Sequence, residues 1–183
     1  MAKLVLGGST ARKRQGVGSP ASGKAAQTSV EQLTAAYVLA PSPHLAAGAW
    51  VAYRDRFLNS SAQAQISEIR KGAPASNLVG AAEAMRLPRE RLYELVGLSA
   101  STAKRKLAKD ETLDPLMTER LTRLGAIERL AEDTFGDVLL ASEWLQTINL
   151  GLGNVTPLSM LDTEIGCREV SRVLNAIVYG GAA

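Results

Sequence analysis

Sulfur, imidazole and aromatic rings are scarce in this chain. One cysteine, Cys167, and one histidine, His44, stand among 183 residues. A lone thiol closes no internal disulfide, which fits a reducing compartment. The two residues are far apart in sequence, and neither a Cys–His nucleophilic pair nor a zinc site has the ligand spacing it needs. The expectation is no metal, no cofactor and no catalytic group, with Cys167 a buried thiol and His44 a surface imidazole. Aromatics make up only 4%, whereas strands draw on aromatic and β-branched residues. Alanine and leucine carry most of the apolar content, which favours helix. No apolar run approaches the 18 or so residues of a membrane span, so no membrane partner is expected.

Acidic residues are missing from positions 1–28, a stretch of Gly, Ser, Ala and Lys/Arg. Such a segment builds no amphipathic face and reads as a mobile basic arm. It shares its composition with mitochondrial transit peptides but has few large apolar residues after Leu6. Within it, Gly18-Ser-Pro-Ala-Ser-Gly23-Lys24 follows P-loop spacing until Ala25 stands where a magnesium-holding hydroxyl belongs. No βαβ pattern follows, so no nucleotide site is expected. Charge is divided unevenly along the chain. Residues 1–109 hold 16 Lys/Arg and 6 Asp/Glu, a balance of +10, and residues 110–183 hold 5 and 12, a balance of −7. The first half suits a polyanion and the second a more basic partner, unless the halves attract each other or an identical subunit.

Hydrophobic residues make up 46%, enough for a core, and they recur at helical spacing from Ser29 onward. Residues 29–72 read as N-terminal helices. The first carries Val30, Leu33, Tyr37 and Val38, and Leu45, Ala49, Tyr53 and Phe57 mark a second. A third is opened by a capping box at Ser60-Ser-Ala-Gln63 and stopped by Gly72-Ala-Pro74. A fourth covers about 75–86, and Pro88 starts the next as a first-turn proline. Sustained period-two alternation is absent, and the fold class is all-α.

Residues 88–109 read as helix, tight turn, helix, at the centre of a domain over 73–113. Leu92, Leu95 and Val96 form an inner stripe, Gly97 makes a left-handed corner, Leu98 plugs it, and Ser99 caps the second helix. Ala103 and Leu107 then face inward. Ser101, Lys104, Arg105 and Ala108 face outward, as a recognition helix presents side chains to a major groove. The candidate DNA-binding residues are Ser99, Ser101, Thr102, Lys104 and Arg105, with Lys106 and Lys109 as phosphate contacts. An ordinary helical hairpin with a solvated basic face is the plainer alternative.

Asp114-Pro115 opens a helix of about 20 residues that ends at Gly136. Along it, carboxylates such as Glu132 and Asp133 read as a solvated face. Val138, Ala141, Trp144, Leu145 and Ile148 form the next apolar face, with Trp144 in the core. Short starts follow at Thr156-Pro157 and Thr163. The last helix carries Val170, Val173, Leu174, Ile177 and Val178.

Phe135-Gly-Asp137, Ala141-Ser-Glu-Trp144-Leu145, Asn149-Leu-Gly-Leu-Gly153, Thr156-Pro157 through Thr163, Gly166 with Val170, and Tyr179-Gly180 together resemble the Xre/MbcA/ParS antitoxin family. Upstream, Leu113-Asp-Pro-Leu-Met-Thr-Glu-Arg120-Leu121 resembles that family's helix after the helix-turn-helix, although the family often has Glu-Ser at Met117-Thr118. The likeness runs over about residues 73–180. It implies an Xre-like DNA-binding part followed by a C-terminal toxin-binding part over 114–183. It further implies a cognate RES-domain toxin that attacks NAD and is covered at its active site by the antitoxin. The complex would repress its own operon, so the partners are toxin and operator DNA, with a homodimer inside a larger assembly in the bacterial cytoplasm. The candidate toxin-binding residues are Thr163, Glu164, Gly166, Arg168, Arg172, Tyr179, Gly180 and Gly181. The acidic balance of the second half would complement basic groups that handle the NAD pyrophosphate. A stand-alone helix-turn-helix regulator without a toxin is the alternative.

Overall fold

The longest helix, Pro115–Phe135, carries buried apolar residues together with the carboxylates Glu128 and Glu132, and several of the other described helices pack on it. The computed structural model describes residues 43–180, with side chains from Leu45 onward. The expected basic arm, the near-P-loop segment, the helix begun at Ser29, the His44 side chain and Gly181 lie outside the described residues. Among the described residues, nine α-helices and one 3-10 turn follow in order: α1 Pro43–Leu58, α2 Ala62–Lys71, α3 Ser76–Ala84, α4 Arg89–Val96, α5 Ala100–Ala108, α6 Pro115–Phe135, α7 Val138–Gln146, the 3-10 turn Leu150–Leu152, α8 Pro157–Met160 and α9 Glu164–Tyr179. No strand occurs among the described residues, and the fold is all-α. Two isolated bridges, Pro74 with Thr112 and Asn149 with Val155, pin loops.

Local chemistry sets most of the helix ends. Asp114 accepts from the Met117 N–H with Pro115 in the first turn, and α6 stops at Gly136 in the left-handed region. Asp137, Thr156 and Thr163 cap α7, α8 and α9 in the same way, each side-chain oxygen taking an amide that would otherwise lack a partner. Two starts differ from the sequence reading. Ser61, not Ser60, caps α2 through Ala64 N, because the Ser60 hydroxyl donates to the Phe57 carbonyl at the end of α1. Pro88 occupies the cap position, and α4 begins one residue later.

One core runs through the described helices, with Leu78, Leu92, Leu113, Leu121, Leu124, Val170 and Leu174 fully buried. The face that α1 contributes is turned from the expected one. Leu45 is 67% exposed and Ala49 is also exposed, while Trp50, Tyr53, Arg54 and Phe57 are buried. Trp50 drives that rotation. Gly80 on α3 and Gly125 on α6 leave room for it, since a Cβ at 125 would come 2.8 Å from Trp50 Cζ2. Burying one tryptophan removes roughly 200 Å² from water, on the order of 5 kcal/mol as an upper bound.

Polar bonds fix the register of this contact. Trp50 Nε1 donates to Glu128 Oε2 at 2.8 Å, and Arg54 Nη1 sits 3.0 Å from the same oxygen. Arg54 also forks onto both oxygens of Glu132, at 2.9 and 2.8 Å. Glu132 is therefore drawn into a buried network, not left on a solvated face; Asp133, 56% exposed and paired with Arg129, does lie on the surface. A buried ion pair adds little net stability over apolar packing, yet breaking it is costly. Apolar burial thus holds α1 in place while the charges set where it sits.

Glu128 Oε1 has no hydrogen-bond partner among the described residues. Burial pushes the Glu128 carboxyl up to about 7, against the downward pull of Arg54 and Trp50. A carboxyl raised above its ordinary 4.5 contributes stability at acid pH that is lost as pH rises through about 7. Relative to Glu128→Gln, the wild type should lose roughly 3 kcal/mol of unfolding free energy between pH 4.5 and 7.5. Arg54→Ala should cost about 3–5 kcal/mol at pH 7.5, and less at pH 5. Urea unfolding at pH 4.5, 5 and 7.5 checks both.

Candidate functional site

The helix-turn-helix forms from the corner outward. Leu92, Leu95 and Val96 are buried, and the chain turns at Gly97 with φ 80° and ψ 32°. Two constraints meet at Gly97: the left-handed backbone, and Arg120 Nη1, which occupies the space a Cβ would take. That same Nη1 donates to the Val96 carbonyl at 3.3 Å, so α6 braces the end of α4. Leu98 is buried in the corner. Ser99 accepts from Thr102 N at 3.2 Å, and its hydroxyl donates to Thr102 Oγ1 at 2.9 Å.

From that cap, α5 buries Ala103, half-buries Leu107, and turns Ser101, Lys104, Arg105, Ala108 and Lys109 to solvent. The candidate DNA-binding side chains differ in how free they are. Ser99, Ser101 and Thr102 are joined to one another at the cap, with Ser99 and Ser101 oxygens 3.1 Å apart. Lys104 and Lys109 have no carboxylate within ion-pair distance among the described residues. Arg105 is half exposed, but its Nη1 donates to both oxygens of Glu111 at 2.6 and 2.9 Å. Lys106 keeps only 15% of its side chain exposed and donates to the Thr112 carbonyl at 2.8 Å. Glu111 stood outside the sequence reading, because the pairing crosses the turn after α5 and has no helical spacing to reveal it.

The loop that carries Glu111 is itself fixed. Ala75 N donates to the Glu111 carbonyl, Leu113 N to the Ala73 carbonyl, and Ala73 N to Thr118 Oγ1, at 3.0, 2.8 and 3.0 Å. Thr118, fully buried, thus has its hydroxyl oxygen satisfied by this loop.

A second surface lies at residues 138–180. Ten of the thirteen exposed large apolar residues among those described fall here, led by Leu150 at 84% and Tyr179 at 82%. Where exposed apolar side chains of this kind are contiguous, they mark sites that another macromolecule covers. The expected inner face of α7 is only partly inside. Ala141 and Leu145 are buried, whereas Val138 and Ile148 are 48% and 66% exposed. In the first turn of α7, Leu139 and Leu140 are exposed too, and only Ala141 turns inward. Trp144 is half-buried at the core's edge, 5.6 Å from the Phe135 ring. On α9 the apolar stripe starts inside at Val170 and Leu174 and emerges at Ile177 and Val178.

The candidate toxin-binding residues divide by position along α9. Thr163 caps the helix through Gly166 N at 3.0 Å, and Glu164 is exposed in the first turn. Gly166 is buried, and a Cβ there would collide with the Met160 carbonyl. It holds α8 against α9 and offers no surface of its own. Arg168 is exposed, and Arg172 pairs with Glu169 at 3.0 Å. Tyr179 projects from the last turn, and Gly180 ends the helix with φ 60°. Cys167 is a buried thiol whose burial pushes its pKa up.

Two family matches follow the chain in the same order as these surfaces. The antitoxin Xre-like helix-turn-helix domain matches residues 64–125, and the antitoxin Xre/MbcA/ParS C-terminal toxin-binding domain matches residues 130–180. A Prs ADP-ribosylating antitoxin from Sphingobium is 30% identical over 128 residues, covering 65% of this chain and 80% of that protein. Antitoxin Xre from Yersinia enterocolitica is 30% identical over 95 residues, covering 51% of this chain and 64% of its own length. Antitoxin Xre from Photorhabdus laumondii is 39% identical over 64 residues, covering 34% and 43%.

The Gly166 contact yields a direct test. Gly166→Ala should force α8 from α9 and cost about 3 kcal/mol, read as a lower urea midpoint, while Thr163→Ala should cost about 1 kcal/mol through its cap.

Proposed function

We propose that this chain, which belongs to the Xre/MbcA/ParS family of antitoxins, blocks the active site of an NAD-consuming RES-domain toxin and represses its own operon. The family assigns the coarser role plainly: an antitoxin of a toxin–antitoxin system with a helix-turn-helix domain. Within the finer reading, a protein partner for the C-terminal part is supported by one observation, the concentration of exposed apolar side chains at 138–180. A regulator that meets only DNA has no use for so many, because DNA interfaces are polar and positively charged. A protein partner covers such side chains at a gain of about 25 cal/mol per Å² removed from water.

In this reading α5 enters the major groove. Lys104 reaches base edges or phosphates, Lys109 meets the backbone, and the Ser99–Ser101–Thr102 cap lies close to the duplex. Paired half-sites call for a dimer, and the toxin complex is built on it. Toxin contact falls on Tyr179-Gly180 and the exposed turns of α9, with Arg168 and Glu164 at the rim. The Sphingobium relative's name ties that protein to ADP-ribosylation, which draws its ADP-ribose from NAD and so agrees with an NAD-consuming toxin. The protein works by binding in the bacterial cytoplasm, where operator and toxin are both found. No helix of the described residues is long and apolar enough to cross a membrane.

Two variants separate the two roles. Lys104→Ala with Arg105→Ala should abolish specific operator binding, at least a tenfold loss in a gel-shift titration, while the protein still rescues growth from the neighbouring toxin. Deletion of residues 179–183 should do the reverse. Rescue by the truncated protein would overturn the view that the C-terminal segment covers the toxin.

A further inference from the structure

The recognition helix carries four basic residues within six positions, Lys104, Arg105, Lys106 and Lys109, yet two of them are already engaged. Glu111 lies one turn past the helix, with its backbone held on both sides: its N–H donates to the Lys106 carbonyl at 2.9 Å and its carbonyl accepts from Ala75 N at 3.0 Å. Its carboxylate is thereby set beneath the C-terminal half of α5, where both oxygens take Arg105 Nη1 and one lies 3.6 Å from Lys106 Nζ. Lys106 is tied a second time to the Thr112 carbonyl. Nε and Nη2 of Arg105 make no hydrogen bond among the described residues, so the guanidinium is oriented by Glu111 through Nη1 alone.

We propose that Glu111 is a positioning residue that holds Arg105 and Lys106 back from phosphates and so restrains binding to non-cognate DNA. The inference rests on the DNA-binding reading of α5. Non-specific affinity comes almost wholly from cations that displace counterions at phosphates. A carboxylate that pairs with two such cations lowers that affinity and repels the nearest phosphates. An exposed pair of this kind is weak, so a cognate site that aligns Arg105 with a base edge can break it, whereas a loosely docked duplex gains too little. The restraint therefore acts on discrimination more than on peak affinity.

The test uses the full chain and a random-sequence 30-base-pair duplex, titrated by fluorescence anisotropy between about 50 and 200 mM salt. Glu111→Gln should bind this duplex roughly three- to tenfold more tightly, with a log K against log salt slope steeper by about one to two. Asp133→Asn makes the same change in net charge near the far end of α6, roughly 27 Å from its start by helical rise, and should change neither quantity. In an Arg105→Ala background the gain from Glu111→Gln should shrink to less than half. Glu111→Asp keeps the charge but shortens the reach, and should give an intermediate gain; melting curves check that each variant is folded. An unchanged affinity and slope in Glu111→Gln overturns the proposal, as does an equal gain in Asp133→Asn or an undiminished gain without Arg105. A wild-type protein that binds no duplex even at 50 mM salt overturns the DNA-binding reading itself.

Discussion

The seating of Trp50 and Arg54 on one face of α6 is the constraint on which the other packing depends. Gly125 opens the place for the indole, Glu128 receives its N–H, and Glu132 receives the guanidinium fork. With α1 fixed there, α3 is held close to it through Gly80. The corner of the helix-turn-helix is braced against α6 by Arg120. The C-terminal helices α7 and α9 pack on α6 as well. One long helix thus supports both the recognition helix and the apolar surface, and α1 belongs to this core although it precedes both family matches.

The buried charge at that contact has two aspects. Glu128 sits where burial favours its neutral form and Arg54 favours its ionised form, and burial prevails. The network is therefore a poor source of net stability at neutral pH. Its value is positional, because an indole N–H and a guanidinium fork accept only one alignment of α1 on α6. The pair formed by Arg105 and Glu111 differs in kind. It is exposed and weak, so it can break when a stronger partner is offered, as the proposed DNA contact requires.

Much of the fold was legible because its signals are local. Asp114-Pro115, Gly136, Thr156-Pro157, Thr163, Gly97 and Ser99 each act within one turn of the chain, and each marks the helix end that the structure has. The less legible features arise between elements. Leu45 and Ala49 have the spacing of a buried stripe, yet the bulk of Trp50 and the reach of Arg54 turn α1 by part of a turn. Ser60 and Ser61 are both competent caps, and the choice between them fell to a carbonyl left open at the end of α1. Val138, Ile148, Ile177 and Val178 repeat at helical spacing like core residues. Periodicity cannot tell an apolar face covered by this chain from one left for another molecule.

By itself, then, the sequence determined that the chain is helical, where most helices start and stop, and that residues 88–109 turn through a glycine corner into a basic helix. Those properties follow from backbone dihedrals, caps and period, which act over a few residues. Only the tertiary structure decided which cations on that helix are held by Glu111, that the partly buried Glu132 takes the Arg54 fork, and that the apolar set at 138–180 is exposed among the described residues. Each of these depends on what lies across a loop or on another helix, at separations no local pattern encodes.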